Sequence, residues 1–191
     1  MMATKKRCEW AGGNELYEKY HDEEWDVPSY DDRHLFEMLI LEGAQAGLNW
    51  ITILKKREGY RKAFNDFDAK KISRYTQEKI NKLLLNPEII RNKLKVNSAV
   101  TNAKIFLEIQ KEFGSFSKYM WQFVDGKPIK NKWKKQSDVP ATTDVSDVMS
   151  KALKKRGFKF VGSTICYAYM QAVGMVNDHT VDCRCYKKCA K

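Results

Sequence analysis

The chain has 191 residues, 43% of them hydrophobic and 12% aromatic, which suits one domain with a buried core and excludes wholesale disorder. Its longest apolar run, Ile165 to Met170, is six residues against the ~20 of a membrane span, and the start MMATKKRCEW has no apolar stretch to serve as a secretory signal. Thirty-five Lys and Arg against 24 Asp and Glu give +11, and the excess is lopsided: residues 1–50 carry 5 basic and 11 acidic side chains, leaving 30 and 13 for the rest. A cytoplasmic protein with no membrane partner is expected. The basic body points to a polyanion, most simply nucleic acid, with a solvated lysine-rich surface as the plain alternative. Five cysteines, an odd number, suit reduced thiols or metal ligands better than a disulfide framework.

Taken in chain order, the punctuation is that of successive helices. Asp31 or Asp32 caps a helix to about Ala46, which Gly47 ends. Asn49 caps the next, Trp50 to Arg57. Thr76 opens a short helix ending near Leu85, and beyond Pro87 a long one runs from about Ile89 to Phe113, stopped by Gly114. Ser115 starts another through Phe123, and Val124 to Thr143 reads as irregular. Ser146 caps a helix to Arg156, Gly157 ends it, and Ser163 begins a last helix to Val173, in which Cys166 reads as a core residue. No period-two strand stands out, so the expectation is a single all-α domain over residues 1–191.

Three constellations carry chemistry. Leu35, Met38, Leu39, Glu42 and Ala46 fall on one helical stripe, which places a carboxylate among core-facing positions. Glu42 is then either a stripe-edge side chain that pairs with a lysine or a cleft carboxylate held for a ligand. Gln45, Gly47, Leu48, Asn49 and Trp50 follow on a turn, the kind of place where base-unstacking proteins carry apolar wedges and aromatic platforms. Second, Cys8 and His21 near one end and His179 and Cys183 near the other make a Cys₂His₂ set suited to tetrahedral zinc, with Cys185 and Cys189 as alternatives to Cys183. Third, Leu153 to Gly162 joins two helices through Gly157-x-x-x-x-Gly162, with five basic residues between Lys151 and Lys159. A hairpin of this form offers backbone N–H groups to phosphate, although an ordinary αα-hairpin with a solvated basic face has the same pattern.

Several segments together resemble the bacterial 3-methyladenine DNA glycosylase I family: Tyr20-His21-Asp22-x-Glu24-Trp25, Leu41 to Trp50, Ile53 to Arg57, Gly114-Ser115-Phe116, Lys154 to Gly162 and Asn177-Asp178-His179. The resemblance runs from about Cys8 to Cys183. It implies an all-α helix-hairpin-helix glycosylase fold, one structural zinc on Cys8, His21, His179 and Cys183 that joins the termini, no organic cofactor, and a monomer acting on duplex DNA. It places Glu42 in a base pocket as the catalytic group, with Tyr20 and Trp50 as aromatic walls and Trp10 and Trp25 helping to close it. Gln45, Gly47 and Leu48 become a plug for the gap left in the duplex, and Gly157, Lys159 and Gly162 a grip on the phosphate backbone. The implied reaction is hydrolytic excision of N3-methyladenine. Related bifunctional enzymes begin the second hairpin helix with a lysine, whereas this chain reads Gly162-Ser163-Thr164, and Asn177 stands where relatives carry an aspartate; monofunctional hydrolysis without strand cleavage follows. Asp26 and Glu88 replace glycines of the family pattern, and both are expected to weaken binding rather than chemistry. The competing reading is a non-enzymatic, zinc-clasped DNA-binding module on the same scaffold.

Overall fold

The computed structural model describes residues 6–189, and among these the chain forms nine α-helices and one short parallel strand pair. The helices are α1 (Glu15–Glu23), α2 (Asp32–Gln45), α3 (Trp50–Ala63), α4 (Ala69–Ile72), α5 (Gln77–Leu85), α6 (Lys93–Phe113), α7 (Phe116–Trp121), α8 (Asp144–Lys155) and α9 (Ser163–Ala172). The two-residue strands β1 (Ile129–Lys130) and β2 (Val176–Asn177) pair in parallel, a departure from the strand-free expectation. Two residues are too few to leave a period-two signal.

Helix α2 is the axis of the core. Every residue from Leu35 to Ala44 is buried, and α3, α6, α7 and α9 pack around it. The one-sided stripe read from the sequence therefore understates it; a helix that is apolar nearly all round belongs inside. Gly43 lets the α8–α9 connection approach, since a Cβ there would lie 3.1 Å from the Phe160 Cβ. Burial of Glu37 on this helix is matched by Arg57 of α3, whose Nε donates to Glu37 Oε1 at 2.8 Å, and by Arg61 at 2.9 Å. Arg57 also donates to Glu24 at 2.8 Å, tying α1, α2 and α3 together. That buried pairing explains why α3 continues past the expected end at Arg57 to Ala63.

Helix ends show which polar side chains are used. Asp31 caps α2 by accepting from His34 N at 2.7 Å, while Asp32 turns to α7 and accepts from Phe116 N and Ser117 N at 2.9 and 2.7 Å. Asn49 holds the N-cap position of α3 without a side-chain cap bond; Tyr17 of α1 accepts from Ile51 N instead, at 3.0 Å. Asn92 caps α6 later than expected, at Lys93. Thr143, not Ser146, caps α8, and Ser146 completes a capping box by accepting from Thr143 N at 2.8 Å. At the other end of α8, Gly157 takes φ +96° and bonds Lys154 O while Phe158 N bonds Leu153 O, the paired closure that favours glycine after a helix. No described helix is long and apolar enough to cross a membrane.

Candidate active site

A 3₁₀ turn (Glu9–Ala11), α1, α2, α3 and α9 converge on a cavity of about 190 Å³, larger than the ~150 Å³ apolar cavity known to admit benzene. Its walls are aromatic. Trp10 meets Trp25 edge-on at 4.9 Å between ring centroids and Tyr17 at 5.5 Å, and Tyr20 meets Trp50 at 5.5 Å. Glu42 enters from α2, one turn before the helix ends. It is 4% exposed, and no described residue donates a hydrogen bond to its carboxylate. Burial alone pushes its pKa up to about 8. The Tyr20 phenol is raised well above its usual range, first by burial and then by the nearby Glu42 charge, so it stays a donor. A buried carboxyl with no protein donor, set among aromatic rings, suits a ligand rich in N–H groups, and a cationic ligand would draw it into its ionised form.

Beside the cavity lies the turn from Gln45 to Asn49. Gly47 takes φ +77°, a conformation L side chains rarely adopt, and Leu48 is 40% exposed at its tip. A second hollow of about 190 Å³ sits between this turn and Thr164 and Ile165 of α9, sharing Glu42, Gln45 and Ala168 with the first. Lys95 of α6 holds the turn in place, its Nζ donating to Ala44 O at 2.8 Å and Ala46 O at 2.7 Å, the open carbonyls at the end of α2.

The connection from α8 to α9 brings Gly157, Lys159 and Gly162 to one end of the hairpin. Helix α9 starts with Gly162 at its N-cap and no side-chain cap, so its first-turn N–H groups are left for another acceptor. A Cβ at Gly162 would meet nothing within 4 Å. The Lys159 backbone is committed: Asn102 accepts from Lys159 N at 2.9 Å and donates to Lys159 O at 3.1 Å. Only the exposed Lys159 side chain faces outward.

Cys8, His21, His179 and Cys183 come together as a buried cluster that could hold a metal ion. Cys8 Sγ lies 3.6 Å from His179 Nδ1, and Cys183 Sγ lies 3.5 Å from His179 Nδ1 and 3.4 Å from His21 Nε2. Zinc arms of ~2.3 Å to sulfur and ~2.05 Å to nitrogen at the tetrahedral angle would set such edges at about 3.5 Å. His21 Nδ1 is oriented by Asp22 at 2.9 Å, the second-sphere carboxylate such a site uses. Cys185 sits on the Asp22 side, in a separate group with His21 and Asp22 and with its Sγ 3.8 Å from Asp22 Oδ1; Cys189 belongs to neither group, so Cys183 alone completes the set of four.

The methyladenine glycosylase family model matches residues 10–186. The chain belongs to this family. It is 50% identical over 179 residues to the DNA-3-methyladenine glycosylase of Haemophilus influenzae, covering 94% of this chain and 97% of that protein. A crystal structure of 3-methyladenine DNA glycosylase I superposes with a TM-score of 0.92 at 49% identity, covering 94% of this chain and 99% of the other. A tyrosine-to-phenylalanine variant of 3-methyladenine DNA glycosylase I, solved in complex with 3-methyladenine, superposes at 0.91 with 37% identity, covering 93% and 96%.

Within this methyladenine glycosylase frame, the structure brings Glu42, Tyr20, Trp50, Trp10, Trp25 and Gln45 around one cavity and sets Gly47 and Leu48 on the adjoining hollow that shares Glu42 and Gln45 with it. Tyr17, Gln136, Ala168 and Gln171 also line it and were not anticipated. Tyr17 stands three residues before Tyr20 on α1, a spacing that would have marked it had that polar helix been recognised. Gln171 is three residues after Ala168 on α9. Gln136 had no local signal. Asp26 is not on the pocket wall: at φ 60° its Oδ2 accepts from Asp178 N at 2.6 Å and His179 N at 3.0 Å, supporting the segment that carries His179. Glu88 is exposed and packs by its Cβ against Gly59 of α3. Asp178 accepts from Asn131, Trp133, Tyr167 and Gln171, which leaves its carboxylate occupied. Asn177 donates to Tyr186 O at 2.9 Å, a structural bond.

Proposed function

We propose that this chain is a monofunctional DNA glycosylase that flips N3-methyladenine out of alkylated duplex DNA and hydrolyses its glycosidic bond, leaving an abasic site. The observation that carries the reading is Glu42: a buried carboxyl without a protein donor, in an aromatic cavity at the end of the helix that leads into the Gly47–Leu48 turn. N3-alkylation makes adenine cationic, so the bond to the sugar is already weak and the base departs neutral. Little acid catalysis is then needed, and the work is to find, extrude and discriminate the base. Glu42 accepts N–H bonds from the flipped base and favours its charge; the Trp50 and Tyr20 rings add cation–π attraction that neutral adenine lacks. Leu48 fills the vacated stack, Gln45 and Gly47 shape that plug, and the uncapped start of α9 with Gly157, Gly162 and the Lys159 side chain grips the backbone as a helix-hairpin-helix.

Zinc is the metal this reading assigns to Cys8, His21, His179 and Cys183, one per chain, because two thiolates and two imidazoles at tetrahedral edge lengths suit it. Its place is structural: it joins the first described residues to the last helix's extension and supplies no step of the reaction. The absence of a lysine in Gly162-Ser163-Thr164 supports hydrolysis without a Schiff base. The test is to incubate the protein with methylated duplex DNA and identify the bases released. Free 3-methyladenine with intact strands supports the proposal; strand cleavage alongside release would refute the monofunctional mechanism.

A further inference from the structure

The base cavity contains more unmet hydrogen-bonding capacity than Glu42. Trp50 Nε1, a donor, and Gln136 Oε1, an acceptor, are both shut off from solvent and have no partner. Both residues line the same cavity as Glu42. Buried polar atoms are paired in native proteins with few exceptions, so an unpaired acceptor on a side chain that lines a cleft is one that a ligand can pair when that side chain turns toward it. Gln136 comes from the segment that reads as irregular, yet that segment is held firmly. β1 pairs with β2, Asn131 and Trp133 both donate to Asp178 at 2.7 Å, and Tyr186 donates to Asn131 O at 3.0 Å. Val181 N bonds Trp133 O at 2.9 Å, and the 3₁₀ turn from Gln136 to Asp138 closes through Lys135 N on Asp138 at 3.0 Å. The strap therefore carries the Gln136 backbone, in a fixed position, to the cavity that Glu42 also lines.

We propose that Gln136 is a specificity-determining residue of this site, its Oε1 accepting a hydrogen bond from the exocyclic amino group of the flipped alkylated adenine. The inference rests on the glycosylase reading above and deepens it. The exocyclic amine carries two N–H groups, so one acceptor, Glu42, leaves a second hydrogen to be satisfied, and Gln136 supplies the second acceptor. N3-alkylated guanine presents an oxygen at the same ring position, which would face Gln136 Oε1 acceptor to acceptor. A site built to bond one edge rejects the analogue that lacks it more strongly than an apolar wall can.

The experiment compares wild type with Gln136→Met, a variant of equal length without hydrogen-bonding ends, on a half-exposed turn where folding is not at stake. Three quantities are read: binding of free 3-methyladenine by tryptophan fluorescence, release of 3-methyladenine and of 3-methylguanine from methylated duplex DNA, and the melting temperature. The expected result is an approximately fivefold loss in 3-methyladenine binding and release, the size of one neutral hydrogen bond, with 3-methylguanine release raised relative to wild type and melting unchanged. Unchanged 3-methyladenine binding and release would overturn the proposal. So would equal losses for both bases, which would make Gln136 part of the wall and no more. A wild-type protein that releases no 3-methyladenine defeats the functional reading itself, and this inference with it.

Discussion

At the scale of single residues, Glu42 is a carboxyl buried with no protein donor. Its carboxyl titrates near 4.5 when unfolded and is raised to about 8 by burial when folded. A raised pKa means the stabilising contribution is complete below pH 4.5 and is lost as pH rises through about 8, because the folded state resists ionisation. Glu42→Gln removes that conflict at nearly constant shape. The variant should melt above wild type by a margin that widens between pH 5 and 8, up to ~1.4 kcal/mol per pH unit, and levels off beyond. A constant margin across that range would show that the carboxyl is already ionised in the free protein. Such a stabilised variant with impaired function is the usual signature of a functional group retained at a cost in stability. Asp26 is a second buried carboxyl, raised first by burial and then by the Asp178 charge, and two backbone N–H groups donate to one of its oxygens. Its sequence departure from glycine looked harmful to binding, but the side chain faces two backbone N–H groups beside His179, which only the folded chain reveals.

At the scale of elements, the end of α2 is where packing becomes function. Lys95 satisfies the Ala44 and Ala46 carbonyls and so fixes the direction of the Gly47–Leu48 turn. Lys95→Met should lower stability by about 1 kcal/mol, a charged hydrogen bond discounted for its exposure to solvent. It should also reduce excision from duplex DNA while leaving binding of free 3-methyladenine intact; equal losses in both would mean that the clamp shapes the cavity and not the plug. Elements with strong local signals were legible in the sequence. The Asp31 cap, the Gly114 and Gly157 stops and the α2–α3 turn all lie within a few residues of the chemistry that fixes them. What escaped depends on partners far along the chain: the Tyr17 cap on α3, the Arg57–Glu37 pair that lengthens α3, and the strap that presents Gln136. Helix α1 escaped for another reason, since its ELYEKYHDE sequence is too polar to show a clear apolar face. In the site, the aromatic and acidic residues announced themselves by type and spacing, whereas Gln136 and Gln171 are ordinary polar residues made significant by position alone.

At the scale of the whole molecule, the Cys₂His₂ cluster links residues more than 170 positions apart and closes the polypeptide around the base cavity, with Trp25 packed 4.8 Å from the His179 ring. Cys8→Ala should lower zinc content below one per chain and depress the melting temperature before it alters the chemistry of the remaining folded protein. Full zinc retention in that variant, measured by atomic absorption, would remove Cys8 from the ligand set. The charge of +11 should make duplex binding strongly salt-dependent, and Lys159→Ala should reduce the slope of log K against log salt by about 1 without changing preference among sequences. An unchanged slope would place the backbone grip elsewhere.

The central claim is that the Glu42 cavity receives the damaged base. It is tested most directly by measuring, in one preparation of wild type and of Glu42→Ala, the release of 3-methyladenine from methylated duplex DNA and the affinity for undamaged duplex. Excision should fall by about 10- to 100-fold with duplex affinity unchanged, since a charge-assisted contact to the base is lost and no phosphate contact is touched. A folded variant that excises as well as wild type, or one that loses excision and duplex binding in equal measure, would contradict it.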